Sequence, residues 1–188
     1  MTAEIAALAA MTLLLFAQIT LLILLIAWNL SSFFEVPFVP TPRYAFPAIA
    51  EALDIRDGEV VYELGSGDGR FVLWCARRFP SARFIGVERN ALLVLSSRCR
   101  ALLAGSPRNL SFRRESFFST DLSSADKIYA YLLHPVMDAL LPKLEQELSQ
   151  ARFVSRAFVF TGRPIRSTIN LQPLPGPHGR NRLYVYTF

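Results

Sequence analysis

The chain has 188 residues, enough for one domain plus an appendage, and 52% of them are apolar, above the usual ~45–50%. Its formal charge of +5 divides unevenly: residues 1–42 carry Glu4 and Glu35 and no base, whereas all 20 Lys and Arg lie at or after Arg43. The bases are scattered without an aromatic-basic repeat, which argues against an RNA-binding module. His134 and His178 have no ligand spacing and imply no metal site, and Cys75 and Cys99 read as small core residues in a reducing compartment.

From Ile5 to Leu30 the only polar side chains are Thr12, Gln18, Thr20 and Asn29. As a helix this run would be about 39 Å long at roughly 1.5 Å per residue, and a bilayer core takes about 20 residues. A buried core helix would show a polar stripe, and none is visible. A cleaved signal peptide would start with a basic segment and end at a small-x-small site, but this chain starts with the acidic Met1-Thr2-Ala3-Glu4. The expectation is a retained single-pass anchor over residues 1–30. The bias of the basic residues then puts the C-terminal domain on the cytoplasmic or equivalent side of the membrane, with Trp28, Phe33 and Phe34 at the interface.

Glu35-Val36-Pro37-Phe38-Val39-Pro40-Thr41-Pro42 follows, and its three prolines favour an extended path. It is either a stiff spacer or a segment laid against the domain near a ligand. From there strands and helices alternate. A short helix spans 45–53, a strand 60–64, a helix continues past residue 70 until Pro80 ends it, and a strand spans 83–88. Then come a helix over 92–103, strands over 109–113 and 127–131, a helix over 136–148 and a strand over 152–160. A final antiparallel pair, 167–171 with 182–187, brackets the Pro-Gly-rich loop 173–179. Alternation of this kind predicts a Rossmann-like α/β fold: a parallel sheet with helices on both faces. The expected division is an anchor at 1–30, a proline-rich segment at 31–42 and a domain at 43–188.

The chemistry concentrates where the first strand breaks into Gly65-Ser66-Gly67-Asp68-Gly69 and a helix follows. Glycines let the backbone approach a ligand closely, and the amides at a helix start point to the same place. Dinucleotide binders space glycines as G-x-G-x-x-G, but here Arg70 stands where the third glycine should be. No Gly-Lys-Ser/Thr phosphate loop is present either. The spacing fits instead the E/D-x-G-x-G-x-G loop of class I methyltransferases, with Glu63 in its acidic first position. Glu88 ends the second strand 19 residues after Gly69, where a carboxylate can accept hydrogen bonds from ribose hydroxyls.

Val36-Pro37-Phe38-Val39-Pro40, Glu63-Leu64-Gly65-Ser66-Gly67-Asp68-Gly69-Arg70 and Gly86-Val87-Glu88-Arg89-Asn90 together resemble the membrane-anchored protein-lysine methyltransferases of mitochondria. Those enzymes modify the c-ring protein of ATP synthase and the adenine nucleotide translocase. The resemblance covers the anchor, the proline segment and nearly the whole domain. It implies S-adenosylmethionine as cofactor. Glu63 and Gly65, Ser66, Gly67, Asp68 and Gly69 would hold its methionine part and Glu88 its ribose, with Asn90 also at the cofactor. Either Glu115 or Ser116 would lie near adenine. It also implies that the proline segment supports activity and that the partner is a membrane protein; no nucleic acid or metal is expected from the residues themselves.

Three substrate-side segments depart from that family: Ala91 where proline is usual, Tyr131-Leu132-Leu133-His134-Pro135, and Thr161-Gly162-Arg163. The acceptor therefore stays open between a protein lysine and a membrane lipid or quinone, beside a non-catalytic assembly role. Tyr131 is a candidate for orienting the acceptor. His134 is a candidate general base or a loop residue without chemistry.

Overall fold

A computed structural model describes residues 2–33, 38–171 and 181–188. The chain forms two compact units, Met1–Phe38 and Val39–Phe188.

The first unit is one helix, α1 (Thr2–Phe33). Its stretch Ala7–Ile26, 20 residues long and with none of its span buried, is long and apolar enough to cross a membrane. Two of its polar residues are satisfied locally: the Thr12 and Thr20 hydroxyls donate to the carbonyls of Ala9 and Phe16, each at 2.8 Å. Hydroxyls bonded back into their own helix carry no unpaired donor into an apolar medium. The side chains of Trp28, Phe33 and Phe34, and the loop 173–179, lie outside the described residues.

The second unit opens with a 3-10 turn, Arg43–Ala45, and α2 (Phe46–Leu53). It continues through β1 (Val60–Leu64), α3 (Arg70–Arg78), β2 (Arg83–Glu88), α4 (Ala91–Leu103) and β3 (Leu110–Arg114). Then follow β4 (Lys127–Ala130), α5 (His134–Glu147), β5 (Arg152–Arg156), β6 (Ser167–Asn170) and β7 (Arg182–Thr187). The seven strands lie in the order β3-β2-β1-β4-β5-β7-β6. β1 to β5 are mutually parallel, and β7 runs antiparallel to both neighbours. Strand order reverses on either side of β1, so the crevice between the carboxyl ends of β1 and β4 is the switch point at which α/β sheets bind ligands.

Successive strand residues face opposite sides of the sheet. Val61, Phe84, Tyr129, Val154 and Val185 form one buried layer with Phe46 and Ile49 of α2 and Phe71 and Val72 of α3. The alternate residues Tyr62, Ile85, Ile128, Phe153 and Tyr186 are buried on the other face. α5 covers that face, where its Met137 sulfur lies 3.9 Å from the Ser155 hydroxyl of β5. Full burial of side chains of this size contributes about 1.5–3 kcal/mol each. The Asn109 side chain donates to the carbonyls of Ala76, Phe79 and Ala82 at 3.1, 3.1 and 2.9 Å, fastening the end of α3 to the start of β2.

Three expectations change. The helix expected over 136–148 starts two residues earlier, so His134 is the first residue of α5 rather than a loop residue. The fifth strand ends at Arg156 rather than Phe160, because Ala157 takes a left-handed conformation (φ 68°) and the Ser155 hydroxyl captures the Phe158 carbonyl at 2.6 Å. Cys75 is buried as expected, but Cys99 is exposed, since α4 packs on the sheet through Leu93, Val94 and Ser97 instead.

Gly69 has φ 70°, and a Cβ there would lie 2.5 Å from the Phe112 ring and 2.7 Å from Ser97. Gly58 has a similar φ of 83° but nothing within 4 Å. Gly69→Ala is therefore expected to lose about 2–4 kcal/mol in urea unfolding, from backbone strain plus overpacking, and Gly58→Ala only about 1 kcal/mol. Equal losses would show that the Phe112 contact yields freely.

Candidate active site

The site begins where β1 ends. The Gly65 and Ser66 amides both donate to the Val87 carbonyl of β2, each at 2.9 Å. The Gly67 amide donates to Glu88 Oε2 at 3.0 Å, and the Asn90 amide to Glu88 Oε1 at 2.8 Å. Asn90 in turn caps α4, its Oδ1 accepting from the Leu92 and Leu93 amides at 2.9 and 3.3 Å. Gly65, Gly67 and Gly69 all have positive φ (75°, 55° and 70°), which glycine alone adopts at little cost. Gly86 matters for closeness: a Cβ there would stand 2.8 Å from the Ser66 hydroxyl.

Glu63 lies beneath this loop and is only 6% exposed, yet its Oε2 has no hydrogen-bond partner. Burial pushes its carboxyl well above the ordinary carboxylate range. The charges of Asp68 and Glu88 push the same way, while the Val72 amide and the Arg70 charge oppose them. The Ser66 hydroxyl oxygen is likewise buried and unpartnered. Asp68 has a different setting. Burial would raise its carboxyl, but hydrogen bonding to Arg70 and the charges of Arg70 and Arg100 hold it below the usual range. Its Oδ2 lies 2.6 Å from Arg70 and 2.8 Å from Arg100, so it ties the start of α3 to α4.

Across the switch point, Tyr129 of β4 is aligned in register with Glu63 of β1. Its hydroxyl lies 3.0 Å from that of Thr41, and both groups are buried. The Pro40-Thr41-Pro42 stretch thus reaches the same end of the sheet as the glycine loop. Desolvation raises the Tyr129 hydroxyl far above its ordinary pKa, so it stays protonated. Beside it, the buried Arg156 guanidinium sits 4.7 Å over the Tyr131 ring, and its Nε has no partner. Tyr131 stacks on Phe158 at 6.2 Å, and His134 meets the same ring edge-on at 6.1 Å. Asp138 accepts from the Thr161 amide and hydroxyl at 2.7 and 2.6 Å, fixing the turn that follows Phe160.

The structure therefore gathers Glu63, Gly65 to Gly67, Glu88 and Asn90 at one strand end, and Tyr131 and His134 around Phe158. Asp68 is occupied by two arginines. Arg114 is in register with Glu88, so Glu115 and Ser116 leave the sheet beside β2. Glu115 Oε1 is buried without a hydrogen bond, and Ser116 Oγ accepts from the Phe118 amide at 3.3 Å. Sequence reasoning placed Thr41 only within the proline segment expected to support activity, and it did not single out Tyr129, Arg156 or Phe158 as site residues. The available signal for Arg156 was a charged residue set between the apolar pairs Phe153-Val154 and Ala157-Phe158.

The strand order with its antiparallel β7, the glycine loop and the acids near the carboxyl ends of β1 and β2 define a class I S-adenosylmethionine-dependent methyltransferase. Residues 63–166 match the family described as the ANTKMT methyltransferase domain, and the chain belongs to that family. It is 35% identical over 134 residues to a protein-lysine N-methyltransferase of Saccharolobus islandicus, covering 68% of this chain and 80% of that one. It is 32% identical over 125 residues to the adenine nucleotide translocase lysine N-methyltransferase of Mus musculus, covering 66% of this chain and 54% of that one. Among solved structures, an RNA methyltransferase from Salinibacter ruber in complex with S-adenosyl-L-homocysteine superposes with a TM-score of 0.72 at 33% identity, covering 79% of this chain and 93% of that one.

The Thr41–Tyr129 contact generates a double-mutant test. Thr41→Val and Tyr129→Phe each leave one buried hydroxyl unpaired and are expected to cost about 1–3 kcal/mol in urea unfolding, whereas the double variant costs less than their sum. Strict additivity would mean that the two hydroxyls do not depend on each other.

Proposed function

We propose that this methyltransferase modifies a lysine of a membrane protein, working from a single N-terminal anchor with its catalytic domain on the cytoplasmic or equivalent side. Residues 1–30 serve as the anchor, 31–42 as a segment supporting the site, and 43–188 as the domain. The carrying observation is the family membership together with an α1 stretch able to span a bilayer. The relative named for the adenine nucleotide translocase supports a membrane-protein acceptor.

The residues fit the cofactor on their own chemistry. Glu63 Oε2 and Ser66 Oγ are buried polar atoms lacking partners, which a polar ligand would supply. Glu63 with Gly65, Ser66, Gly67 and Gly69 would hold the methionine part. Glu88 spends one lone pair of each oxygen on an amide, and a carboxylate has about four acceptor sites, so capacity remains for two ribose hydroxyls. Glu115 or Ser116 would face the adenine, and Asn90 shapes the turn between Glu88 and α4. Asp68 would serve through the ion pairs that hold α3.

When bound, S-adenosylmethionine would supply a sulfonium methyl whose carbon an amine can attack, the N–C bond forming as the C–S bond breaks and S-adenosylhomocysteine leaves as the neutral thioether. The chain must then present a neutral amine and exclude water. A free lysine, with pKa near 10.4, is neutral in only about one molecule in 10³ at pH 7. Arg156 adds a positive charge at the end of β5, and a positive neighbour favours the neutral amine. Tyr131 and Phe158 give an apolar wall along which the lysine stem can lie, and His134 or the Tyr131 hydroxyl would take or orient its proton.

The name of the S. ruber protein favours a second reading, an RNA acceptor. One experiment separates these: membranes and total RNA from cells lacking the protein are incubated with the full chain and methyl-labelled S-adenosylmethionine, with folded Gly67→Arg as control. Label is expected in a discrete protein band, on lysine by mass spectrometry, and absent with the variant. Label in RNA or in extracted lipid would overturn the lysine reading.

A further inference from the structure

A groove of about 720 Å³ lies on the domain along α3 and α4, lined by Arg43, Arg70, Arg77, Arg78 and Arg100. Asp68 pairs with Arg70 and Arg100, whereas among the described residues no carboxylate lies within ion-pair distance of Arg43, Arg77 or Arg78. Leu103 lines the groove as well and is 90% exposed. It belongs to an outward apolar stripe on α4: Leu92, Leu95, Cys99 and Leu102, all exposed, recur at helical spacing. A helix that turns leucines outward beside unpaired arginines has the composition of a surface meeting acyl carbon and anionic headgroups together.

We propose that this groove and the α4 stripe form a docking surface for an anionic phospholipid leaflet. Charge complementarity selects the occupant: three arginines without carboxylate partners attract phosphate, and the leucines have no use for nucleic acid. Chain length supports it. Arg43 follows Phe33, the last residue of α1, by ten residues, so the chain holds that arginine within about 35 Å of the helix end. The anchor supplies the membrane, and the groove sets how the domain rests on it, fixing which membrane-embedded lysines the site can reach. The docking rests on the membrane placement proposed above, but its readout does not need methyl transfer.

Cys99 lies within the stripe and is exposed, whereas Cys75 is buried, so maleimide labelling of the native chain reads this face. The full chain is placed in nanodiscs of phosphatidylcholine alone or with about 30 mol% phosphatidylglycerol, where each basic residue at the surface contributes on the order of a fivefold preference. Cys99 labelling is expected to slow about tenfold or more in the anionic discs at low salt, and to recover at high salt. The variant Arg43→Gln, Arg77→Gln, Arg78→Gln spares the arginines that hold Asp68, and it should label at the same rate in both discs while binding S-adenosylhomocysteine normally. Equal labelling of the native chain in both discs would overturn the proposal, as would slowing that survives the triple substitution. Equivalent slowing in detergent by inorganic phosphate or by polyglutamate would instead assign the groove to a free anion or an acidic polypeptide. Failure of the lysine reading would leave the labelling result unchanged.

Discussion

Two amides of the glycine loop converge on a single carbonyl, that of Val87, and the third turns to the Glu88 carboxylate. This shared acceptor locks the end of β1 to the end of β2, and the rest of the site is arranged around it. Positive φ at the glycines lets the chain reverse fast enough to make both bonds, and the missing side chain at Gly86 leaves room for Ser66. With the loop fixed, Glu63 is sealed beneath it, Glu88 is held by two amides, and α3 starts at an angle that lets Asp68 bridge to Arg100 on α4.

The electrostatic result is a contrast between neighbouring acids. Asp68 gains two cationic partners and stays ionised; its folded value lies below the unfolded one, so its contribution to stability is present above the unfolded value and is lost as pH falls through the folded one. Glu63 gains burial and like charge. Its folded value lies above the unfolded one, so the native state binds the extra proton, and stability falls as pH rises from the unfolded value of about 4.3 towards the folded one. A fold that carries such an acid beside unpartnered polar atoms is prepared for a ligand that supplies a compensating positive charge, and stability is given up for that readiness.

Much of this was legible in the sequence because it depends on local chemistry. The loop needs glycine at three positions, an acid must stand at or just before the end of each of the first two strands, and apolar runs alternate with amphipathic helices; each leaves a mark in the order of residues. What was not legible depends on register. Tyr129 reads as one more buried strand aromatic until its alignment with Glu63 and its contact with Thr41, 88 positions away, are known. Likewise, the fifth strand reads through to Phe160 because nothing in Arg156-Ala157-Phe158 announces a left-handed alanine. Leu92, Leu95 and Leu102 match a core helix pattern, and only the packing of α4 through Leu93, Val94 and Ser97 shows them facing outward.

The most direct measurement is the number of protons released when S-adenosylmethionine binds the full chain, from calorimetry at about pH 6 in buffers of differing ionisation enthalpy; a free α-amino group stays protonated there. If Glu63 is neutral before binding and ionised against the cofactor afterwards, the native chain releases protons and binds more tightly as pH rises. The Glu63→Gln variant then releases none, binds more weakly, and is more stable without ligand at neutral pH. Proton release unchanged by Glu63→Gln, or binding that weakens with rising pH, would contradict the assignment of that carboxyl to the cofactor.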